Sequence, residues 1–135
     1  MPGVLYRSRD GLGGFEARGA TLFSENMRHS ALRRVGDTLY VYYSNAFDRP
    51  ERILLSRIEL TADWEDWVES EPELVLEPEL AYEGADLGLE PSRRGSAKNR
   101  VRQLRDPCVY EERGRTYLFY SVAGEGGIAG AVADL

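Results

Sequence analysis

Two positions combine a chemically useful side chain with a repeated sequence context. Asp106 stands in Arg105-Asp106-Pro107 at the start of a short apolar strand, and His29, the single histidine, follows Arg28. Segments 28–44 and 105–121 align without a gap, so His29 and Asp106 correspond to each other. A carboxylate and an imidazole at equivalent points of a repeat are candidates for proton transfer or for binding hydroxyl groups. The alternatives are a carboxylate that caps local backbone N–H groups and a half-buried structural imidazole.

The elements that must position these residues are predicted to be short antiparallel strands. Aromatic and β-branched residues dominate the apolar runs, and Gly and Pro residues separate these runs, as is typical of all-β proteins. Helical periodicity is nearly absent, because even residues 60–70 hold no continuous apolar face. About nine strands are predicted, at residues 4–8, 21–23, 29–35, 38–44, 52–60, 73–76, 105–110, 115–121 and 128–132.

These strands fall into repeated units of four. Residues 29–76 contain a complete set, with a Gly36-Asp37 turn between the first strand and the second. The segment before this set resembles only a third and a fourth strand, and the segment after it resembles only the first three. Four-stranded antiparallel units in series are the blades of a β-propeller. The sequence therefore predicts an incomplete propeller that begins in one blade and ends in another.

Composition restricts the class of protein. The 135 residues suit one domain, and the net charge of −6 disfavours a nucleic-acid binder, which needs a cationic face. A single cysteine permits no intrachain disulfide. Cys108 is predicted to lie in a buried strand, where its side chain packs in the core. No apolar run approaches the roughly 20 residues that span a membrane. Without a recognisable signal peptide at the N-terminus, the expected location is the cytoplasm.

The sequence resembles a known group of enzymes in two places. Arg105-Asp106-Pro107, followed by residues 114–121, is similar to blades of the five-bladed propeller glycoside hydrolases of family 43. Residues 8–12 with Phe15 resemble the corner between the third and fourth strands of those blades. The resemblance implies about two four-stranded antiparallel blades of a five-bladed type within one domain, residues 1–135. Its parts are third and fourth strands at 1–26, a complete blade at 27–79, a long loop at 80–103 and three strands at 104–135.

The same resemblance implies carbohydrate as the ligand and hydrolysis of a glycosidic bond by two carboxyl groups with inversion. Asp106 is then expected at the centre of the ring, with Glu83 or Asp86 of the long loop as the general acid. A solvated acidic loop is the alternative for these two residues, and no metal or cofactor is predicted. The expected sugar-binding residues are His29, Arg28, Arg105, Glu90 and Arg93.

The basic run that contains Arg93 has two interpretations. It comprises Arg93, Arg94, Lys98, Arg100 and Arg102. It either holds an anion, as in the phosphorolytic propellers, or is a solvated loop. Arg28 or Arg105 could pair with a carboxylate at the centre of the ring, but exposed ion pairs are the simpler expectation.

The chain also departs from the family pattern. The family takes three central carboxylates from three blades, and two blades cannot supply all of them. Either this chain is the C-terminal part of a longer enzyme that lacks N-terminal blades here, or it is a reduced relative that assembles from several copies. A non-catalytic carbohydrate-binding or self-assembling module is the competing interpretation. We expect self-association or, failing that, N-terminal strands that pair with the C-terminal strands to complete a blade.

Overall fold

The fold, described by a computed structural model for residues 3–133, is all-β as predicted. Short 3₁₀ turns occupy Trp64–Asp66 and Ala81–Glu83. Met1, Pro2, Asp134 and Leu135, the ends of the predicted segments 1–26 and 104–135, lie outside the described residues. The nine strands of the described part are β1 (Tyr6–Arg7), β2 (Glu16–Ala17), β3 (Met27–Val35), β4 (Thr38–Asn45), β5 (Ile53–Glu59), β6 (Glu73–Leu76), β7 (Arg105–Glu112), β8 (Arg115–Val122) and β9 (Gly127–Ala133).

The strands form three antiparallel sheets in chain order. We call them the N-terminal sheet (β1–β2), the central sheet (β3–β6) and the C-terminal sheet (β7–β9). Every sheet pairs strands that are neighbours along the chain, and two-residue turns join β3 to β4 and β7 to β8. The β7–β8 turn has positive φ at both Arg113 (51°) and Gly114 (75°), as a type I′ hairpin requires. Within residues 3–133 the N-terminal sheet does not pair with the C-terminal sheet, so the predicted completion of a blade within the chain is wrong.

The central sheet lies between the other two, and the side chains of β4 point alternately towards one neighbour and the other. Tyr42 points to one side of the central sheet, and Val41 and Tyr43 point to the other, because successive side chains of a strand face opposite ways. The core between the central and C-terminal sheets contains Tyr42, Ile53, Leu55, Leu104, Leu118, Tyr120 and Val122. The core between the central sheet and the N-terminal segment contains Leu22, Met27, Val41, Tyr43, Leu54 and Ile58.

Two details of the sequence-based prediction need correction. Residues 21–23 form no strand, and Leu22 makes only an isolated bridge to Gly3, whereas β1 pairs with Glu16–Ala17. Cys108 lies in β7 as predicted, but its side chain is exposed on the face of the C-terminal sheet that no other described sheet covers. No helix in the described part of the chain is long and apolar enough to cross a membrane. The cytoplasmic location stays a prediction.

Candidate functional site

His29 and Asp106 lie on matching irregularities of the first strands of two sheets. The register of β3 on β4 shifts between Arg28 and Ala31, and that of β7 on β8 shifts between Arg105 and Cys108. Both residues have left-handed backbone, with φ of 49° for His29 and 51° for Asp106. Bulges of this kind redirect a side chain away from the regular strand pattern, at some cost in backbone strain.

The two bulges bring His29 and Asp106 together. His29 Nδ1 lies 2.6 Å from Asp106 Oδ1, although the residues are far apart in sequence. Ser121 Oγ donates a hydrogen bond of 2.8 Å to Asp106 Oδ2, from the strand that pairs with β7. The side chains of His29 and Asp106 remain 45% and 38% exposed, so solvent and ligands can reach both. The two residues that correspond in the sequence repeat are therefore in direct contact across the two sheets.

This pair lines a shallow cleft of about 440 Å³. The cleft lining also includes an arginine, a second acidic residue and a serine, from both sides of the sheet junction. Such a mixture of donors and acceptors suits a ligand with several hydroxyl groups. The lining residues are Arg28, His29, Gly95, Ser96, Asp106 and Glu125.

A buried carboxylate, Glu51, holds the arginines that precede the two bulges. Arg28 contacts both of its oxygens, with Nε donating to Oε1 at 2.8 Å, and Ser44 Oγ donates to Oε1 at 2.7 Å. Arg105 Nε lies 3.4 Å from Oε2. The side chain of Glu51 is fully buried, and those of Arg28 and Arg105 are only 12% and 3% exposed. The expectation of exposed ion pairs at Arg28 and Arg105 is therefore wrong.

Arg105 also holds the loop that forms one side of the cleft. Its Nη1 donates to the Gly95 carbonyl at 3.2 Å and contacts Glu125 Oε1 at 3.1 Å. Its Nη2 donates to Gln103 Oε1, and the Ala97 N–H donates to Glu125 Oε1 at 3.0 Å. Glu125 is thus oriented by two donors while its side chain stays 39% exposed at the cleft.

Glu83, the first of the predicted general acids, lies away from the cleft lining. Its Oε2 accepts the backbone N–H groups of Glu79 and Leu80, both at 3.0 Å, and its Oε1 accepts the Tyr120 hydroxyl at 2.9 Å. The side chain is buried, and burial, followed by the bond to Glu83, raises the pKa of Tyr120 well above its usual range. These contacts favour a capping function for Glu83, and its role as general acid stays a prediction.

The remaining loop candidates are exposed. Asp86 is solvent-exposed and does not line the cleft. Glu90 and Arg93 border a separate depression of about 260 Å³, which Arg105 and Gln103 line from below. Ser96 lines both this depression and the cleft, whereas Arg105 lines only the depression. Within residues 3–133, no three His, Cys, Asp or Glu side chains gather in a metal-binding arrangement.

Sequence reasoning passed over three residues that build the site. Glu51 follows the β4 strand in an unremarkable Arg-Pro-Glu-Arg run, and nothing local announces its burial. Glu125 lies in the Gly-rich turn between β8 and β9, where an acidic residue gives no signal of its place in the cleft lining. Ser121 carried a usable signal, because the repeat aligns it with Ser44 and each serine donates to a carboxylate of the site.

Comparison with known proteins gives one similar viral protein and no matching family model. No protein-family model matches the chain. The chain is similar to uncharacterized protein R118 of Acanthamoeba polyphaga mimivirus, with 44% identity over 144 residues. This alignment covers 96% of the chain and 40% of the viral protein, so the chain spans less than half the length of this relative. The name of that relative describes no activity.

Proposed function

We propose that this chain is part of a five-bladed glycoside-hydrolase-like propeller and that its cleft binds carbohydrate. The observation that carries the proposal is the contact of His29 with Asp106 from matching bulges of two successive sheets. In this interpretation the three stacked sheets are consecutive blades, and β3 and β7 are first strands that face the central axis. The chemistry of the cleft supports a sugar ligand, because the carboxylates of Asp106 and Glu125 accept hydrogen bonds from hydroxyl groups and the Ser96 hydroxyl can donate or accept them.

The proposed reaction is hydrolysis of a glycosidic bond in the assembled ring. Water attacks the anomeric carbon and loses a proton to one carboxylate, while a second carboxyl group protonates the departing oxygen as the C–O bond breaks. Asp106 is the proposed central carboxylate, oriented by Ser121 and His29. Glu125 is the second carboxyl group present in the cleft, and Glu83 and Asp86 are alternatives that need a movement of the long loop. The remaining carboxylates would come from blades that precede this segment.

The test separates binding from turnover. Sugar binding is measured by NMR titration of the chain with a panel of mono- and oligosaccharides, and turnover by release of aryl groups from aryl glycosides. Asp106→Asn preserves the left-handed backbone, which Asn tolerates, while it removes the charge. We expect Asp106→Asn to weaken binding at least about tenfold, equal to roughly 1.4 kcal/mol.

Asp37→Asn is the matched control, because Asp37 is an exposed aspartate of the β3–β4 turn that does not line the cleft. It should bind as the wild-type chain does. If no sugar in the panel binds, the carbohydrate proposal fails. If sugars bind without turnover, hydrolysis by this polypeptide fails, and a non-catalytic carbohydrate-binding module remains.

A second candidate function, self-assembly, is favoured by the uncovered face of the C-terminal sheet. Ile128 is 80% exposed on this face, although its counterpart in the central sheet, Ile53, is completely buried. Strand β9 also lacks the outer partner that β6 gives to β5 within the described residues. Packing of another sheet, from a second copy or from N-terminal blades of a longer protein, would cover this surface. The solution mass measured by analytical ultracentrifugation decides, and a 15.2 kDa monomer at all concentrations excludes assembly from copies.

A further inference from the structure

The side chain of Glu51 is an acidic group that is buried in the interior, between two sheets. This side chain has no exposed surface. Arg28 and Ser44 donate hydrogen bonds to it, and Arg105 Nε lies 3.4 Å from Oε2 as an ion pair without a hydrogen bond. A buried carboxylate is costly unless it is paired and hydrogen-bonded, so these contacts are what permit its burial. Glu51 itself belongs to the segment between β4 and β5.

The two arginines that meet at Glu51 are the immediate neighbours of the cleft pair. Arg28 precedes His29 at the bulge of β3, and Arg105 precedes Asp106 at the bulge of β7. At a bulge the regular ladder is interrupted, so the ladder by itself does not fix where the extra residue points. A shared anchor one residue before each bulge therefore sets the separation of the two bulges. The Leu104 N–H, which donates to the Glu51 carbonyl at 3.0 Å, adds a backbone connection at the same point.

We infer that Glu51 is the positioning residue that holds His29 and Asp106 in contact across the junction of the two sheets. The inference deepens the proposed function and rests on it for its consequence, which is the shape of the sugar-binding cleft. Glu51 does not line that cleft, so it acts through Arg28 and Arg105 and does not touch a ligand.

Another ion pair joins the same two strands and provides a matched control. Arg33 of β3 contacts Glu111 of β7 at 2.8 Å, near the hairpin ends, which lie away from the bulges. If any ionic connection between β3 and β7 positions the cleft pair, Glu111→Gln will disturb it as Glu51→Gln does. If the anchor at the bulges is specific, only Glu51→Gln will disturb it.

The experiment uses the only histidine of the chain as the reporter. Because no other histidine contributes, the ¹⁵N ring signals of His29 are identified without assignment. Asp106→Asn defines the change in the Nδ1 signal that loss of the partner carboxylate produces. We expect Glu51→Gln to produce the greater part of that change and Glu111→Gln to leave the signal at its wild-type position. A wild-type Nδ1 signal in folded Glu51→Gln overturns the inference.

A milder variant keeps the test decisive if Glu51→Gln does not fold. Arg28→Lys retains the positive charge and loses the fork that contacts both carboxylate oxygens. We expect it to shift the Nδ1 signal in the direction of Asp106→Asn, and an unchanged signal overturns the inference. Sugar titration of the same variants forms a separate arm. If the wild-type chain binds no sugar, the proposed function fails, while the His29 signal still decides whether Glu51 positions the pair.

Discussion

The central and C-terminal sheets share one sequence pattern but differ in how many of their faces are covered. Tyr42 and Phe119 occupy equivalent positions of the repeat, yet Tyr42 is 1% exposed and Phe119 is 38% exposed. The central sheet packs against other parts of the chain on both faces. Within the described residues, the C-terminal sheet is covered only on the face that carries Leu118 and Tyr120. Residue type therefore marks a strand position as apolar, and the presence of a neighbouring sheet decides whether that position contributes to stability.

Cys108 illustrates the same difference. Its counterpart in the central sheet, Ala31, packs against the core between the central and C-terminal sheets, while Cys108 is exposed. The sequence-based prediction placed Cys108 in a buried strand, and burial of this position requires a covered sheet face. The strand prediction is confirmed for Cys108, and the packing prediction is wrong, because no sheet among residues 3–133 covers this face.

The largest expected effect comes from the two isoleucines that correspond across these sheets. The register aligns Leu54 with Tyr43 and Ala129 with Tyr120, so Ile53 and Ile128 hold equivalent positions. Ile53→Ala removes buried methyl groups and should lower the free energy of unfolding by about 2–5 kcal/mol. Ile128→Ala at the exposed position should change it by less than about 0.5 kcal/mol. Urea denaturation monitored by tryptophan fluorescence measures both, and equal losses would refute the asymmetry.

An intermediate effect is expected from two equivalent tyrosines. Tyr43 OH lies 3.2 Å from Ser56 Oγ, whereas Tyr120 OH donates to the buried carboxylate of Glu83 at 2.9 Å. Tyr120→Phe leaves a buried charged acceptor with one donor fewer and should cost about 1.5–3 kcal/mol, against about 1 kcal/mol for Tyr43→Phe. Thermal unfolding at neutral pH compares the two variants. A larger loss for Tyr43→Phe would contradict the stronger stabilisation expected from the bond between Tyr120 and Glu83.

Alkaline pH should separate the same two residues. Burial raises the pKa of both hydroxyl groups, and at Tyr120 the bond to Glu83 raises the pKa further. A raised pKa in the folded state means that folding favours the neutral phenol. The corresponding stability is therefore complete below the ordinary tyrosine pKa of about 10 and decreases as the pH rises above it. The free energy of unfolding is measured from pH 8 to pH 11. Its decrease with pH should be smaller in Tyr120→Phe than in the wild type. The decrease in Tyr43→Phe should lie closer to that of the wild type.

The smallest effect is expected at the exposed connection between the two sheets. Glu111 is 57% exposed and pairs with Arg33, so Glu111→Gln should cost no more than about 1 kcal/mol. Added salt should reduce this cost, because mobile ions screen exposed charges. Urea denaturation at low and high salt provides the measurement. A cost that is large and independent of salt would show that this pair, and not apolar packing, joins the sheets.

Much of the local structure could be predicted from the sequence. The β3–β4 and β7–β8 hairpins were predicted to within two residues at their ends, and β6 was predicted at its observed boundaries. Alternating apolar residues and turn residues act within a few positions, so a single stretch contains the information. The alignment of His29 with Asp106 came from the repeat in the same way. The N-terminal strands were predicted less well, because β1 and β2 are only two residues long and carry little pattern.

What the sequence by itself determined was an all-β chain of repeated strand units with His29 and Asp106 at equivalent points. Only the tertiary structure decided that these residues touch, that Glu51 is buried between Arg28 and Arg105, and that Glu125 reaches the cleft. The physical reason is range. Strands and turns follow from interactions between near neighbours, whereas the pairing of a buried charge depends on how separate sheets stack, and sheet stacking joins residues that no local pattern connects.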